Sequence, residues 1–115
     1  MPLQVDLRNA VLVLRMEGEL DAFEVQTLRE SAEQALQQEY DIAVVEGSGL
    51  TMLDSSGIGL LVYLFKQASA RQRPFALVGL QGQPEEMIRF LKVDRRIPLH
   101  PTVEAARQAL GASDR

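Results

Sequence analysis

The stretch Leu50–Gln72, LTMLDSSGIGLLVYLFKQASARQ, decides how the rest of the chain is read. From Ser55 to about Ala70 its apolar residues Ile58, Leu60, Leu61, Val62, Leu64 and Phe65 run nearly all the way round a helix. Such a helix is buried on more than one side or presents an apolar face to a partner. Asp54 or Ser55 suits the N-cap, because either side chain can accept from an orphan backbone N–H of the first turn. Gly57 and Gly59 each cost the helix roughly 1 kcal/mol relative to Ala, and in return allow close backbone approach at the helix start. Before this stretch, Ile42–Val45 (IAVV) is apolar without alternation, as in a strand at the middle of a sheet. The small residues Gly47-Ser48-Gly49 read as a loop between that strand and the helix.

On the N-terminal side, LQVDL at 3–7 alternates as a half-exposed edge strand does, and AVLVLRM at 10–16 reads as a buried strand. Arg8-Asn9 is the expected hairpin turn between them. A helix is predicted from about Ala22 to Gln38, with Phe23, Val25, Leu28, Ala32 and Leu36 inward. On the C-terminal side, FALVGL at 75–80 is a further strand and Gln81-Gly82-Gln83 a turn. Pro84 suits the first position of a helix that runs to about Leu91, with Met87, Ile88 and Leu91 inward. Ile97–Leu99 is a short edge strand between prolines. Thr102 caps a last helix with Val103, Ala106 and Leu110 on one face. The order β-β-α-β-α-β-α-β-α predicts an α/β fold, a mixed and mostly parallel sheet of about five strands with about four helices. Residues 1–110 are expected to form a single domain and 111–115 a frayed tail.

Composition closes most routes to catalysis. The chain of 115 residues has no Cys and one His (His100), which excludes a disulfide framework, a thiol nucleophile and a multi-histidine metal site. Few aromatic residues and a net charge of −4 argue against nucleic acid as a partner. The start of the chain lacks the pattern of a signal peptide and no apolar run approaches membrane-spanning length, so a cytoplasmic protein without direct membrane insertion is expected. The charge is uneven: −8 over residues 1–54 and +4 over 55–115. That is either an incidental difference between solvated faces or an acidic patch that steers a basic partner.

Asp54-Ser55-Ser56-Gly57 is the stretch with chemical content. A serine in the first turn of a helix sits at the positive end of the dipole, where a phosphoryl group is held favourably. A nucleophilic serine needs a base, and none stands at a suggestive spacing; nor is this the G-x-S-x-G of the hydrolase elbow. Asp54 and Ser55 alone need do no more than cap a helix. Asp21, Glu46 and Asp54 read as caps and strand-end acids rather than as metal ligands. His100 is expected in a loop without a role, Met52 and Met87 as core filler, and Arg89, Lys92, Arg95 and Arg96 as a solvated face.

In context, these residues resemble the anti-sigma factor antagonist branch of the STAS family. The resemblance starts at Gly18-Glu19-Leu20-Asp21, the family's G-E-L-D, and continues through the 42–45 strand. It takes in the D-S-S-G-[apolar]-G run at 54–59, the FALVGL strand and the two C-terminal helices. The chain departs from the family at Val45–Gly49, which is richer in glycine, and at Arg95–Pro98. The resemblance implies a STAS domain acting as a regulatory binding protein of a bacterial partner-switching pathway, not as an enzyme, and needing no cofactor. It implies that Ser55 is phosphorylated by an anti-sigma factor with GHKL-type serine kinase activity and restored by a PP2C-type phosphatase. It also implies that Asp21, Glu46, Asp54, Ser56, Gly57, Ile58 and Gly59 form the phosphosite loop and partner-binding surface. Two other roles within the same family are a subunit of a membrane lipid-transport complex and a stressosome-like scaffold.

Overall fold

The structure, a computed structural model, describes residues 3–111; of the expected tail, 112–115 lie outside the described residues. The order of elements is the one expected from the sequence. Five strands, β1 (Gln4–Arg8), β2 (Val11–Leu20), β3 (Ile42–Leu53), β4 (Phe75–Val78) and β5 (Leu99–His100), form one sheet in the order β1-β2-β3-β4-β5. β1 and β2 pair antiparallel and all later neighbours are parallel. Between them run α1 (Ala22–Ala35), α2 (Ser55–Ala70), α3 (Gly82–Phe90) and, after β5, α4 (Val103–Ala109).

Alternation within the strands divides the apolar residues between two faces. Leu12, Leu14, Ala43, Val45, Phe75 and Leu77 pack with Leu28 and Ala32 of α1, Leu61 and Leu64 of α2 and Ile88 of α3. Val11, Val13, Ile42, Val44, Ala76 and Val78 face the other way, against Val103 and Ala106 of α4 and Leu110 just after it. Residues 42–45 of β3 and all of β4 therefore have no wet face, which is why each reads as an unbroken apolar run. The apolar girdle of α2 is explained in the same way: Ile58, Leu60, Leu61, Leu64 and Ala68 are all buried beneath the helix.

Several boundaries differ from the sequence reading, each for a physical reason. The hairpin turn is Asn9-Ala10, not Arg8-Asn9: Arg8 pairs with Val11, and both turn residues have positive φ (51° and 65°), as a two-residue loop with the twist of the strands requires. The glycine-rich stretch 47–49 is strand, not loop. β2 continues to Leu20 and pairs with β3 as far as Leu53, through two register shifts. Gly49 serves that close pairing, since a Cβ there would stand 2.8 Å from Glu17 Cβ; a Cβ on Gly47 would instead stand 2.7 Å from Leu80 Cδ2, beyond β4. α1 ends at Ala35, before Gln38, and Phe23 in its first turn is 72% exposed instead of inward. β4 stops at Val78 because Gly79 turns the chain with φ +76°. α3 begins at Gly82, so Pro84 is its third residue, and Leu91 follows the helix half-exposed. β5 is Leu99–His100; Ile97, read as strand, is buried in the turn before it.

Candidate functional site

The parallel pairing of β2 with β3 places Leu20 beside Leu53, so both strands end at the same edge of the sheet. Each is followed by an aspartate in extended conformation that caps a helix. Asp21 Oδ1 accepts from Glu24 N at 3.0 Å, and Asp54 Oδ1 accepts from Gly57 N at 3.0 Å. The Asp54 amide in turn points at the Leu20 carbonyl, 3.5 Å away. G-E-L-D and L-D-S-S-G are thus the same local device used on neighbouring strands, a strand end that becomes an N-cap. Their adjacency puts two carboxylates and two helix N-termini side by side.

Ser55 is the first residue of α2 and is exposed; Ser56 behind it is partly buried. The amides of Ser55 and Ser56 have no intrahelical acceptor, and the dipole of α2 has its positive end here. Gly57 is where α2 touches the sheet. A Cβ there would lie 2.4 Å from the Leu20 carbonyl oxygen and 2.7 Å from Leu53 Cδ1, so no other residue fits without moving backbone. Gly59 differs from the sequence reading: a Cβ there meets nothing within 4 Å, and the residue is exposed. It makes no close approach within the fold. One turn after Ser55 on the same side of α2, it leaves a bare strip of helix. Ile58 points the other way, buried in the core at 7% exposure.

Glu46 stands apart from this group. It lies mid-strand, in register with Val78 of β4, and its carboxylate pairs with Arg15 at 3.4 Å. Along a straight strand, the distance from position 46 to 54 is roughly 25 Å. Asp21, Asp54, Ser55, Ser56 and Gly59 are brought together; Gly57 and Ile58 support them from beneath; Glu46 is not among them. The trio Asp21, Glu46 and Asp54 is therefore not assembled for a metal, and among the described residues no three such ligands converge. His100 is in register with Val78, which is in register with Glu46 in the middle of β3 rather than with the end that leads into Ser55. It lies in β5, where a loop was expected. Of the basic set, Arg89 pairs with Glu85 at 3.1 Å and with Asp94 at 3.5 Å. The guanidinium of Arg96 lies 5.9 Å from the ring centroid of Phe65.

Two features were missed in the sequence. Phe23 shares a concave surface with Glu17, Glu19, Asp21 and Glu24. The acidic first half of the chain thus forms a local surface with an aromatic ring in it, next to the α2 start. The signal was the acid-rich run GELDAFE, in which Phe23 fits a helical stripe; its place over the sheet edge is set by tertiary structure. The other is Gln83. Its side chain accepts from Leu53 N at 2.8 Å and donates to Leu53 O at 3.0 Å, immediately before Asp54.

A sheet with an exposed, Asp-capped helix start at one edge, and no deep cleft there, defines a small α/β domain that presents a helix N-terminus to its surroundings. The chain belongs to the STAS domain family, whose model matches residues 2–106. An anti-sigma-factor antagonist (STAS) domain protein from Planctomyces limnophilus has the same fold, with TM-score 0.85 and 21% identity over 96% of this chain and 99% of that one. So has the anti-sigma factor antagonist SpoIIAA in its unphosphorylated form, with TM-score 0.78 and 21% identity over 96% and 98% of the two chains. A sulfate transporter family protein from Wolinella succinogenes also shares the fold, at TM-score 0.76 and 10% identity over 92% and 88%. No helix among the described residues is long and apolar enough to cross a membrane.

Proposed function

We propose that the chain is a phosphorylation-switched antagonist of an anti-sigma factor, with Ser55 as the phosphorylated residue. The observation that carries this reading is the placement of Ser55: exposed, first in α2, held by the Asp54 cap and flanked by Asp21 on the neighbouring strand end. In its unphosphorylated form the chain binds an anti-sigma factor that is also a GHKL-type serine kinase, through Ser55, Ser56, Gly59 and the carboxylates of Asp21 and Asp54. Gly57 and Ile58 hold that surface in place, and Glu46 acts only from a distance. A PP2C-type phosphatase resets the switch. That SpoIIAA has both an unphosphorylated and a phosphorylated form supports the reading.

The physics of the switch follows from the site. A phosphoryl group adds about −1.5 to −2 charges. In the free protein the dipole of α2 and the orphan amides of its first turn favour that charge. In a complex the same group meets the partner's surface next to Asp54 and Asp21, where it is desolvated and repelled. A ten-thousandfold loss of affinity corresponds to ~5.5 kcal/mol, within the cost of one buried, unpaired phosphate. Binding of the anti-sigma factor by calorimetry tests the reading. Ser55→Ala is expected to bind and Ser55→Asp to bind at least a hundredfold more weakly; equal binding by the two would refute the switch. Recovery of a permease instead of a kinase from the native cell would reassign the surface to a transport complex.

A further inference from the structure

The sequence Gln81-Gly82-Gln83 looks like a simple turn, yet both glutamines reach the same strand. β4 covers β3 only from Ala43 to Glu46, so beyond Glu46 that side of β3 has no neighbouring strand. An uncovered edge leaves backbone donors and acceptors without ladder partners. Gln81 Nε2 donates to the Ser48 carbonyl at 3.2 Å, and Gln83 takes both polar groups of Leu53. A primary carboxamide carries one acceptor oxygen and a donor nitrogen, the same pair a strand residue would offer. Gln83 is therefore a one-residue substitute for the missing strand. It acts at the last residue of β3, next to the Asp54 cap and two residues before Ser55.

We infer that Gln83 is a positioning residue for Ser55: by clamping both backbone groups of Leu53, it fixes where the Asp54 cap and the Ser55 hydroxyl stand when a kinase engages them. The inference rests on the reading of Ser55 as the phosphorylated residue. Its effect falls on turnover rather than on encounter, because a misplaced acceptor is still bound but is held away from in-line geometry.

The test compares the native chain with Gln83→Met, which keeps the length and loses both bonds, and Gln81→Met, which loosens the same edge further from Ser55. Gln83→Glu, which keeps only the acceptor, is a second variant should Gln83→Met fold poorly. Two quantities are read: amide exchange at Leu53 by NMR, and the kinetics of Ser55 phosphorylation by the kinase with ATP. Gln83→Met is expected to speed Leu53 exchange about tenfold, the worth of a lost hydrogen bond. It is also expected to lower kcat about tenfold with KM within about twofold, while Gln81→Met leaves kcat within about twofold of native. An unchanged kcat in Gln83→Met, a rise in KM alone, or an equal loss of kcat in Gln81→Met would each overturn the assignment. Failure of the underlying reading looks different: the native chain itself would carry no phosphate at Ser55, and the positioning role would fall with it.

Discussion

Gly57 and Gly59 show how one residue type serves two purposes two positions apart. At Gly57 the helix backbone comes so close to the Leu20 carbonyl that a methyl group would stand 2.4 Å from it. Gly57→Ala is expected to lose about 2–4 kcal/mol, read as a lower midpoint in urea unfolding, with α2 displaced from the end of β2. At Gly59 there is nothing to displace. Gly59→Ala is expected to raise stability by ~0.5–1 kcal/mol, because alanine loses less entropy in a helix. The same variant should weaken binding of the proposed anti-sigma factor if that partner seats on the bare strip after Ser55. Stability and affinity that move together in Gly59→Ala would contradict that division of roles. Glycine in a helix was legible from the sequence. Which glycine meets the sheet and which faces out was not, because that depends on the rotation of α2 against β2.

Elements were legible in the sequence where their signal was local. The all-round apolar α2 and the Thr102 cap were each read from a few neighbouring residues and stand as read, while the cap of α2, open between Asp54 and Ser55 in the sequence, is Asp54. What failed was set by partners distant in sequence. Gly47-Ser48-Gly49 has loop composition, and it is strand because the tail of β2 runs alongside and needs narrow residues opposite Glu17. Phe23 fits the stripe of α1, yet in the first turn of that helix it stays exposed, beside Glu17 and Glu19 of β2. The hairpin carries a defect at this scale: Ala10 occupies a left-handed conformation, φ 65°, that suits glycine. Ala10→Gly is expected to stabilise the protein by ~0.5–1 kcal/mol, less than the full strain because glycine also widens the unfolded ensemble. A thermal melt that shows no gain, or a loss, would mean that the β1–β2 turn is already relaxed.

At the scale of the molecule, the uneven charge becomes a surface. Part of the acidic half gathers as Glu17, Glu19, Asp21 and Glu24 around Phe23, beside the start of α2, while Lys92 and Arg96 line a separate groove with Val62 and Phe65. The proposed phosphosite thus borders the acidic surface in space as it does in sequence. An encounter steered by these carboxylates is expected to slow as salt rises. Stopped-flow association with the proposed anti-sigma factor should show the on-rate falling severalfold between low and physiological ionic strength, and a salt-independent rate would assign recognition to apolar contacts alone. The central claim concerns one hydroxyl. Incubation of the chain with the proposed anti-sigma factor kinase and ATP, followed by mapping of the modification by mass spectrometry, tests it most directly. A single phosphate on Ser55, absent from Ser55→Ala, is expected; phosphate on Ser56 or elsewhere, or none, would rule out Ser55 as the switch.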